Sequence, residues 1–564
     1  MRKKGLTRAL ALALCAIAAV PAAACSTTGG GGGEAIDSSR TQVRVYHYNA
    51  GYGDKWVYEL KTNFEALMAD RSFEEGKTGV QVLITGDMNA RTAEQWRAEQ
   101  FDVLFLEGPQ EIYTMVTTGV LESLDSIAKV ANPDDNNQTI ISKMTEQQQA
   151  AYTYDGHLYA FPHYAGNYGI IYNRDMFEQK GFFLAAEPDE DTGDILISDT
   201  NPTKSVGPDG QPGTEDDGLP RTYQEFYDLC AEIDAAGIDP LCWPGQYQTH
   251  HVMQFVDNLT ISNLGYEQAN LNYTMDGTAT DLIVFNDDGS IKFEDDGETP
   301  VVESVEINEE NAYLLARQKG KYDAFKFIQT ILSNEDNYNE QDSIKDTRRS
   351  HVEMQQMFLE NGSLGMRENA MLVDGCWWQM EADATFERMK SYDEKWAKEN
   401  RKFGWMPLPQ PTEEAAEAIA NGTKKSTFSD YLNTVACIKS GLTDAARDAS
   451  LEFLKYAYTD EALANFTYTV GATIGVEYLD VVDRSKLTYY ESTLIDYINK
   501  SDIVYPISGT KKYISNVSAF TAQKKYCSPG VQDVLEAFAP YKAKNMSAEE
   551  YFIGHQNHFK GIIW

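Results

Sequence analysis

A framework of paired cysteines is missing. Seven cysteines occur in 564 residues, and Cys15 and Cys25 fall in an N-terminal leader. The remaining Cys230, Cys242, Cys376, Cys437 and Cys527 are odd in number and show no CxxC spacing. That argues against a disulfide scaffold or zinc ribbon and for buried thiols behaving as small apolar side chains. Positive charge is scarce as well: 48 Lys+Arg stand against 86 Asp+Glu, a formal net charge of −38. A surface this acidic repels polyanions and anionic lipid, so a nucleic-acid partner and spreading on a membrane are excluded. Beyond the leader no segment is apolar for long enough to span a bilayer. Catalytic signatures are absent too. There is no HExxH or GxSxG, and Gly76-Lys77-Thr78 lacks the Gly that a phosphate loop needs five positions earlier, where Arg71 stands.

What is present is the composition of a folded chain, 42% apolar and 12% aromatic, long enough for two to four domains. Residues 1–25 form a targeting segment. Arg2, Lys3, Lys4 and Arg8 precede the apolar run Ala9 to Val20, and Ala22-Ala23-Ala24 leads into Cys25. This resembles a bacterial lipoprotein signal with Cys25 as the lipidated residue, although Ala22 stands where Leu is commonest and the alanines also suit simple secretion. Residues 26–39 are Gly/Ser-rich and read as a tether with a reach of about 20 Å.

From Thr41 the pattern alternates strand and helix. Val43, Val45 and His47 have strand period, and Asp54 can cap the helix that follows. Strands are expected at Gly79–Thr85 and Phe101–Leu106, with helices over Thr92–Gln100 and from Pro109. Later, Tyr168–Asn173, Leu241–Trp243 and Ala370–Val373 read as strands and Thr222–Ala236 as a helix. Such alternation implies parallel sheets covered on both faces. Two insertions interrupt it: residues 187–221, rich in Pro, Gly and Asp, and residues 276–306, read as a hairpin of Leu282–Phe285 and Ile291–Phe293 through Asp288-Gly289.

Several stretches are then familiar in order. Phe101-Asp-Val-Leu-Phe-Leu-Glu107, Gly119-Val-Leu-Glu-Ser-Leu124, Asp155-Gly-His-Leu-Tyr-Ala-Phe-Pro162 and Gly169-Ile-Ile-Tyr-Asn-Arg174 are followed by Asp374-Gly-Cys-Trp-Trp378 and Phe403-Gly-Trp-Met-Pro-Leu-Pro409. Together they resemble the extracellular solute-binding proteins of ABC sugar importers, the maltodextrin-type group, from residue 41 to about 480. The resemblance implies an α/β fold of type II, periplasmic-binding-protein-like, in which each of two lobes is a mainly parallel sheet flanked by helices and a multi-strand hinge joins them. It places the N-terminal lobe at 40–165 plus 433–472 and the C-terminal lobe at 166–432 plus 473–564. It also implies a monomer on the extracellular face of the cell membrane, held there only by lipid, that hands an oligosaccharide to the importer's permease subunits.

A sugar offers an apolar C–H face and a rim of hydroxyls, so its site needs flat aromatics beside carboxylates and amides. Tyr164, Asn167 and Tyr168 follow the expected first crossing. Trp243, Gln246 and Tyr247 follow a strand end, where ligands sit in such sheets. Trp377 aligns with the family's stacking Trp, whereas Trp378 suits the core, and Glu107 aligns with a carboxylate that grips hydroxyls. Asn49 and Asp54 lie after the first strand, where capping explains Asp54 equally well. His250-His251 suit a metal or, more simply, a local structural role. In the first insertion Asp209, Asp216 and Asp217 among glycines suit either calcium or a solvated acidic loop. No other cofactor is expected. The alternative function is a secreted glycoside-active enzyme working through two cleft carboxylates.

Overall fold

Val43 and Val45 are fully buried while Gln42 and Arg44, which alternate with them, are partly exposed, and this alternation makes Thr41–Tyr48 the first strand, β1. In chain order there follow β2 (Val80–Asp87), β3 (Val103–Leu106), β4 (Phe161–Pro162), β5 (Tyr168–Asn173), β6 (Asp239–Cys242), β7 (Asn369–Gly375), β8 (Phe403–Met406) and β9 (Val435–Ile438). The structure, a computed structural model, describes residues 34–108, 110–338, 344–361, 367–432 and 434–564. The leader, Cys25 and most of the tether lie outside the described residues. Residues 34–38 are exposed and carry no helix or strand. Residues 39–564 form a compact body, and no described helix is long and apolar enough to cross a membrane.

Two sheets organise that body. The first has the order β2-β1-β3-β9-β4 and the second β8-β5-β7-β6. Both are mixed rather than mainly parallel. β1 runs parallel to β2 and β3, but β9 enters antiparallel to β3 and β4. In the second sheet β5 is antiparallel to β7 and β8, and only β6 is parallel to β7. The antiparallel members β5 and β9 arrive from the opposite sheet through the connecting segments, which fixes their direction. Every residue of β5 and β7 is buried, as a sheet covered on both faces requires. Gly169 in β5 is needed for close approach, because a Cβ there would stand 2.6 Å from the Trp405 ring.

Sequence punctuation sets the helix starts. Thr92 with Gln95 and Thr222 with Glu225 form reciprocal capping boxes for the helices Ala93–Ala98 and Tyr223–Ala235. Asp54 precedes the helix Lys55–Leu67 but makes no side-chain cap bond, so its expected capping role is corrected. The second insertion differs as well. Phe285 does bridge Ile291 around a turn at Gly289, but the main ladder pairs Gly277–Ile283 with Val302–Ile307. The Arg317 guanidinium secures that ladder by donating to the Ile283 carbonyl at 2.6 and 2.8 Å and to Glu303 at 2.8 Å. The five described cysteines are free, four of them buried, and burial pushes their thiol pKa values up.

Three segments connect the sheets, and backbone bonds knit them. The His163 N–H donates to the Thr434 carbonyl (2.8 Å), the Ala165 N–H to Thr473 (2.8 Å), and the Tyr431 N–H to Gly166 (3.1 Å). The Gly475 N–H closes the set on the His163 carbonyl at 2.8 Å. At their junction the buried Asp430 carboxyl accepts the Gly166 N–H at 2.7 Å, and burial raises its pKa to about 7.

Candidate functional site

The hinge forms the floor of an open cleft between the sheets. Tyr431 and Leu432 from the second crossing line two adjoining cavities, and Tyr48, Glu107 and His250 belong to both. The larger, of about 570 Å³, lies between the first lobe's Tyr46, Arg91 and Trp96 and the second lobe's Gln254, Asp257 and Phe520. The smaller, of about 440 Å³, is bounded by Gly51, Tyr52 and Tyr164 on one side and Tyr247, Trp377 and Glu381 on the other.

Each wall has a local cause. Trp377 sits on the turn between β7 and the helix Trp378–Glu381, where it projects over the strand end. Its ring stands 5.7 Å from that of Tyr52 and 6.1 Å from that of Tyr431. Gly51 meets it from the first lobe, and a Cβ at Gly51 would lie 2.3 Å from Trp377 Cδ1 and 2.6 Å from Glu381 Oε1. Tyr247 precedes the long helix Gln248–Thr274 in a left-handed conformation (φ 54°), which holds its ring 71% exposed at the cleft mouth. Glu107, just past β3, is open to the cleft yet has protein on both sides. Burial lifts its pKa to about 7, against the pull of a hydrogen bond with Tyr48. Arg91 is engaged by both oxygens of Asp87 at 2.9 and 2.7 Å and lies over the Tyr46 and Trp96 rings. That ion pair holds Asp87 at about 2.

A buried acidic pair backs the smaller cavity. Gln355 Nε2 donates to Asp374 Oδ2 at 2.9 Å and to Glu381 Oε2 at 2.7 Å. Burial, then the neighbouring Asp374, raises Glu381 to about 8, and burial raises Asp374 too. His351 Nε2 stands 3.7 Å from Glu381 Oε1. His251, held at Nδ1 by the Tyr168 hydroxyl at 2.8 Å, is kept neutral by burial, which lowers it to about 3.

Of the residues singled out in the sequence, Trp377, Glu107, Tyr164 and Tyr247 come together on the cleft. Tyr168 reaches it only through His251. Asn167 is buried in the hinge, with Nδ2 at 3.4 Å from the Ser429 carbonyl. Gln246 is half-buried beside the cleft and donates its backbone N–H to Arg349. Asn49 and Asp54 lie in the loop after β1 but line neither cavity. Trp243 is a correction: it is 2% exposed and packs edge-on against Phe255 in the second lobe's core, because β6 ends beneath the long helix rather than at the cleft. Trp378 is fully buried.

In the acidic loop of the first insertion, the carboxylates are engaged by the loop's own groups. Asp209 Oδ1 accepts the Gln211 N–H, Asp216 Oδ2 the Asp209 N–H and Asp217 Oδ2 the Gly213 N–H, at 2.9, 2.9 and 2.7 Å. The Thr214 hydroxyl, 2.6 Å from Asp216 Oδ1, occupies the space between them. The loop thus satisfies its own carboxylates, and no group of His, Cys, Asp or Glu able to hold a metal occurs among the described residues. Sequence reading missed Tyr48, Tyr431, His351 and Glu381 as cleft residues, for they carry no local motif and meet only through the fold.

Two sheets, a knitted hinge and a walled cleft define a two-lobed binding protein. Residues 58–337 match the family model of bacterial extracellular solute-binding proteins, and the chain belongs to that family, whose members bind solutes rather than catalyse reactions. The expectation of a glycoside-active enzyme is therefore set aside. Solved structures share the fold. The GacH receptor of Streptomyces glaucescens, solved unliganded and with acarbose, is 14% identical with a TM-score of 0.52, covering 93% of this chain and 98% of that one. The cyclic alpha-maltosyl-1,6-maltose binding protein from Arthrobacter globiformis is 11% identical at 0.51, covering 93% and 99%. Maltose-bound T. maritima MalE3 is 12% identical at 0.51, covering 92% and 99%. No curated protein matches the sequence.

Proposed function

We propose that the chain is the saccharide receptor of an ABC importer, tethered through a lipid on Cys25 to the outer face of the cell membrane, and that it closes its two lobes on an oligosaccharide. The observation that carries this reading is the cleft itself. Flat rings at Trp377 and Tyr247, on one wall with Glu381, face Glu107 across a gap floored by Tyr431 that the hinge can narrow. Aromatic faces suit pyranose C–H surfaces, and carboxyls accept from hydroxyls. The length of the joined cavities suits more than one ring. The saccharides named with the solved structures of this fold support the class of ligand. The receptor works as a monomer and presents the closed form to the permease subunits.

Titration calorimetry of the secreted chain against a panel of neutral oligosaccharides tests the proposal, with an assay for new reducing ends beside it. Binding without hydrolysis is expected. A panel in which nothing binds would sink the saccharide reading, and turnover would replace it with an enzyme. For the anchor, Cys25→Ala should shift the protein from the membrane fraction to the medium; wild-type protein already found in the medium would leave plain secretion.

A further inference from the structure

The smaller cavity is unusual in the sign of its walls. Six aromatic side chains line it: Tyr48, Tyr52, Tyr164, Tyr247, Trp377 and Tyr431. Three carboxyls, Glu107, Asp374 and Glu381, complete the lining together with histidines, and among the described residues no Lys or Arg takes part. Aromatic faces carry negative quadrupoles, so rings and carboxyls here attract the same kind of charge. A second observation points to a ligand independently of the acids. Tyr164 is 3% exposed, lines the cavity, and has a hydroxyl that meets no hydrogen-bond partner in the protein. A buried hydroxyl left so is costly unless something else fills its capacity.

We propose that this cavity takes the protonated amino group of an aminated saccharide, held between the Asp374–Glu381 carboxyls and the surrounding aromatic faces. The proposal rests on the saccharide reading above and names the chemical class within it. Glu381 Oε2 is engaged by Gln355, while Oε1 faces Gly51 and the cavity, with His351 3.7 Å away. An ammonium donor reaching Oε1 would make a charge-assisted hydrogen bond in a site sheltered from water. Without ligand, burial keeps the acidic pair short of full ionisation, which lets two carboxyls share the site. Of the lining residues only the histidines can supply a competing cation: burial holds His250 and His251 below their ordinary pKa, and His351, 3.7 Å from Glu381 Oε1, is the partner the ammonium must displace. Binding an ammonium therefore expels a proton: the Glu381 carboxyl O–H loses it to the buffer, and the carboxylate pairs with the ligand.

The experiment is calorimetry on the full secreted chain with matched alpha-linked and beta-linked glucose oligomers. In each series the second ring carbon carries a hydroxyl, a free amine or an N-acetyl group. In at least one series the amine should bind about tenfold tighter than both counterparts. At about pH 6, where an aliphatic amine is charged, its binding enthalpy should also vary with the ionisation enthalpy of the buffer as proton release demands. Glu381→Gln should bring the amine-to-hydroxyl affinity ratio close to one and abolish the buffer dependence. If hydroxyl or N-acetyl oligomers bind as well as the amines, the amine proposal falls and the saccharide reading stands. If no oligomer of any substitution binds, both fall together.

Discussion

Trp377 and Trp243 both follow a strand end, yet only Trp377 reaches the cleft, where Gly51 of the facing loop leaves room for its ring. Trp243 is enclosed beneath the long helix against Phe255. Their substitutions should therefore separate affinity from stability. Trp377→Ala should weaken saccharide binding by about 1–3 kcal/mol, the scale of a large apolar contact, with little change in melting temperature. Trp243→Phe should lower stability by about 1–3 kcal/mol through imperfect core filling and leave Kd unchanged. The reverse outcome would place the ligand elsewhere. Gly51 makes a sharper case, since even one methyl collides with both Trp377 and Glu381. Gly51→Ala should cost roughly tenfold in affinity, measured by calorimetry, while the first lobe melts as before. An unchanged Kd would show that the two loops need not meet when ligand binds.

At the scale of elements the hinge carries the most specific electrostatics. Asp430 sits where the three crossings meet, accepts the Gly166 N–H, and has its pKa lifted from 3.8 to about 7 by burial. Between those values the folded chain holds a proton that the unfolded chain has released. Its stability therefore falls as pH rises through this window, and the loss is complete above about 7. Full ionisation corresponds to roughly 4 kcal/mol. Asp430→Asn cannot ionise, so its stability relative to wild type should increase from pH 4 to pH 7 and then level off. Denaturant titrations of the two proteins across that range provide the test, and a constant difference would mean that the carboxyl is ionised throughout. Local chemistry made many elements readable: period two in β1, the apolar run Val103–Leu106 of β3, and the helices that open at Thr92 and Thr222. The ladder of Gly277–Ile283 with Val302–Ile307 was hidden, because Gly-Thr-Ala-Thr-Asp has no large apolar side chain and gains its order from Arg317 and the surrounding helices. Asp430 gave no signal either, since its partner Gly166 lies in another crossing.

For the molecule as a whole, the order of motifs made the two-lobed architecture readable, while the acidic pole of the cleft was not. Glu381 and His351 are thirty residues apart in a chain with 86 carboxylates, and only the fold selects which of those face the ligand. Function then depends on how the lobes move. In this structure they already touch on one side of the cleft. The Tyr52 hydroxyl is 3.4 Å from Cys376 Sγ, and Lys55 pairs with Asp383 at 2.7 Å. The larger cavity on the other side remains open. A ligand can draw the lobes together only by binding the closed form more strongly than the open one, and the rings and carboxyls of facing walls supply that difference. Saturating saccharide should accordingly reduce the radius of gyration in small-angle scattering. The Lys55–Asp383 pair is exposed and screened by salt, so it should add less than about 1 kcal/mol. Lys55→Ala should then contract on ligand addition as wild type does, with nearly the same Kd at low and high salt. If the variant no longer contracts, the ion pair rather than the ligand-lined walls is what closes the cleft; if wild type itself does not contract, the walls already stand at their final spacing and selectivity comes from a preformed site.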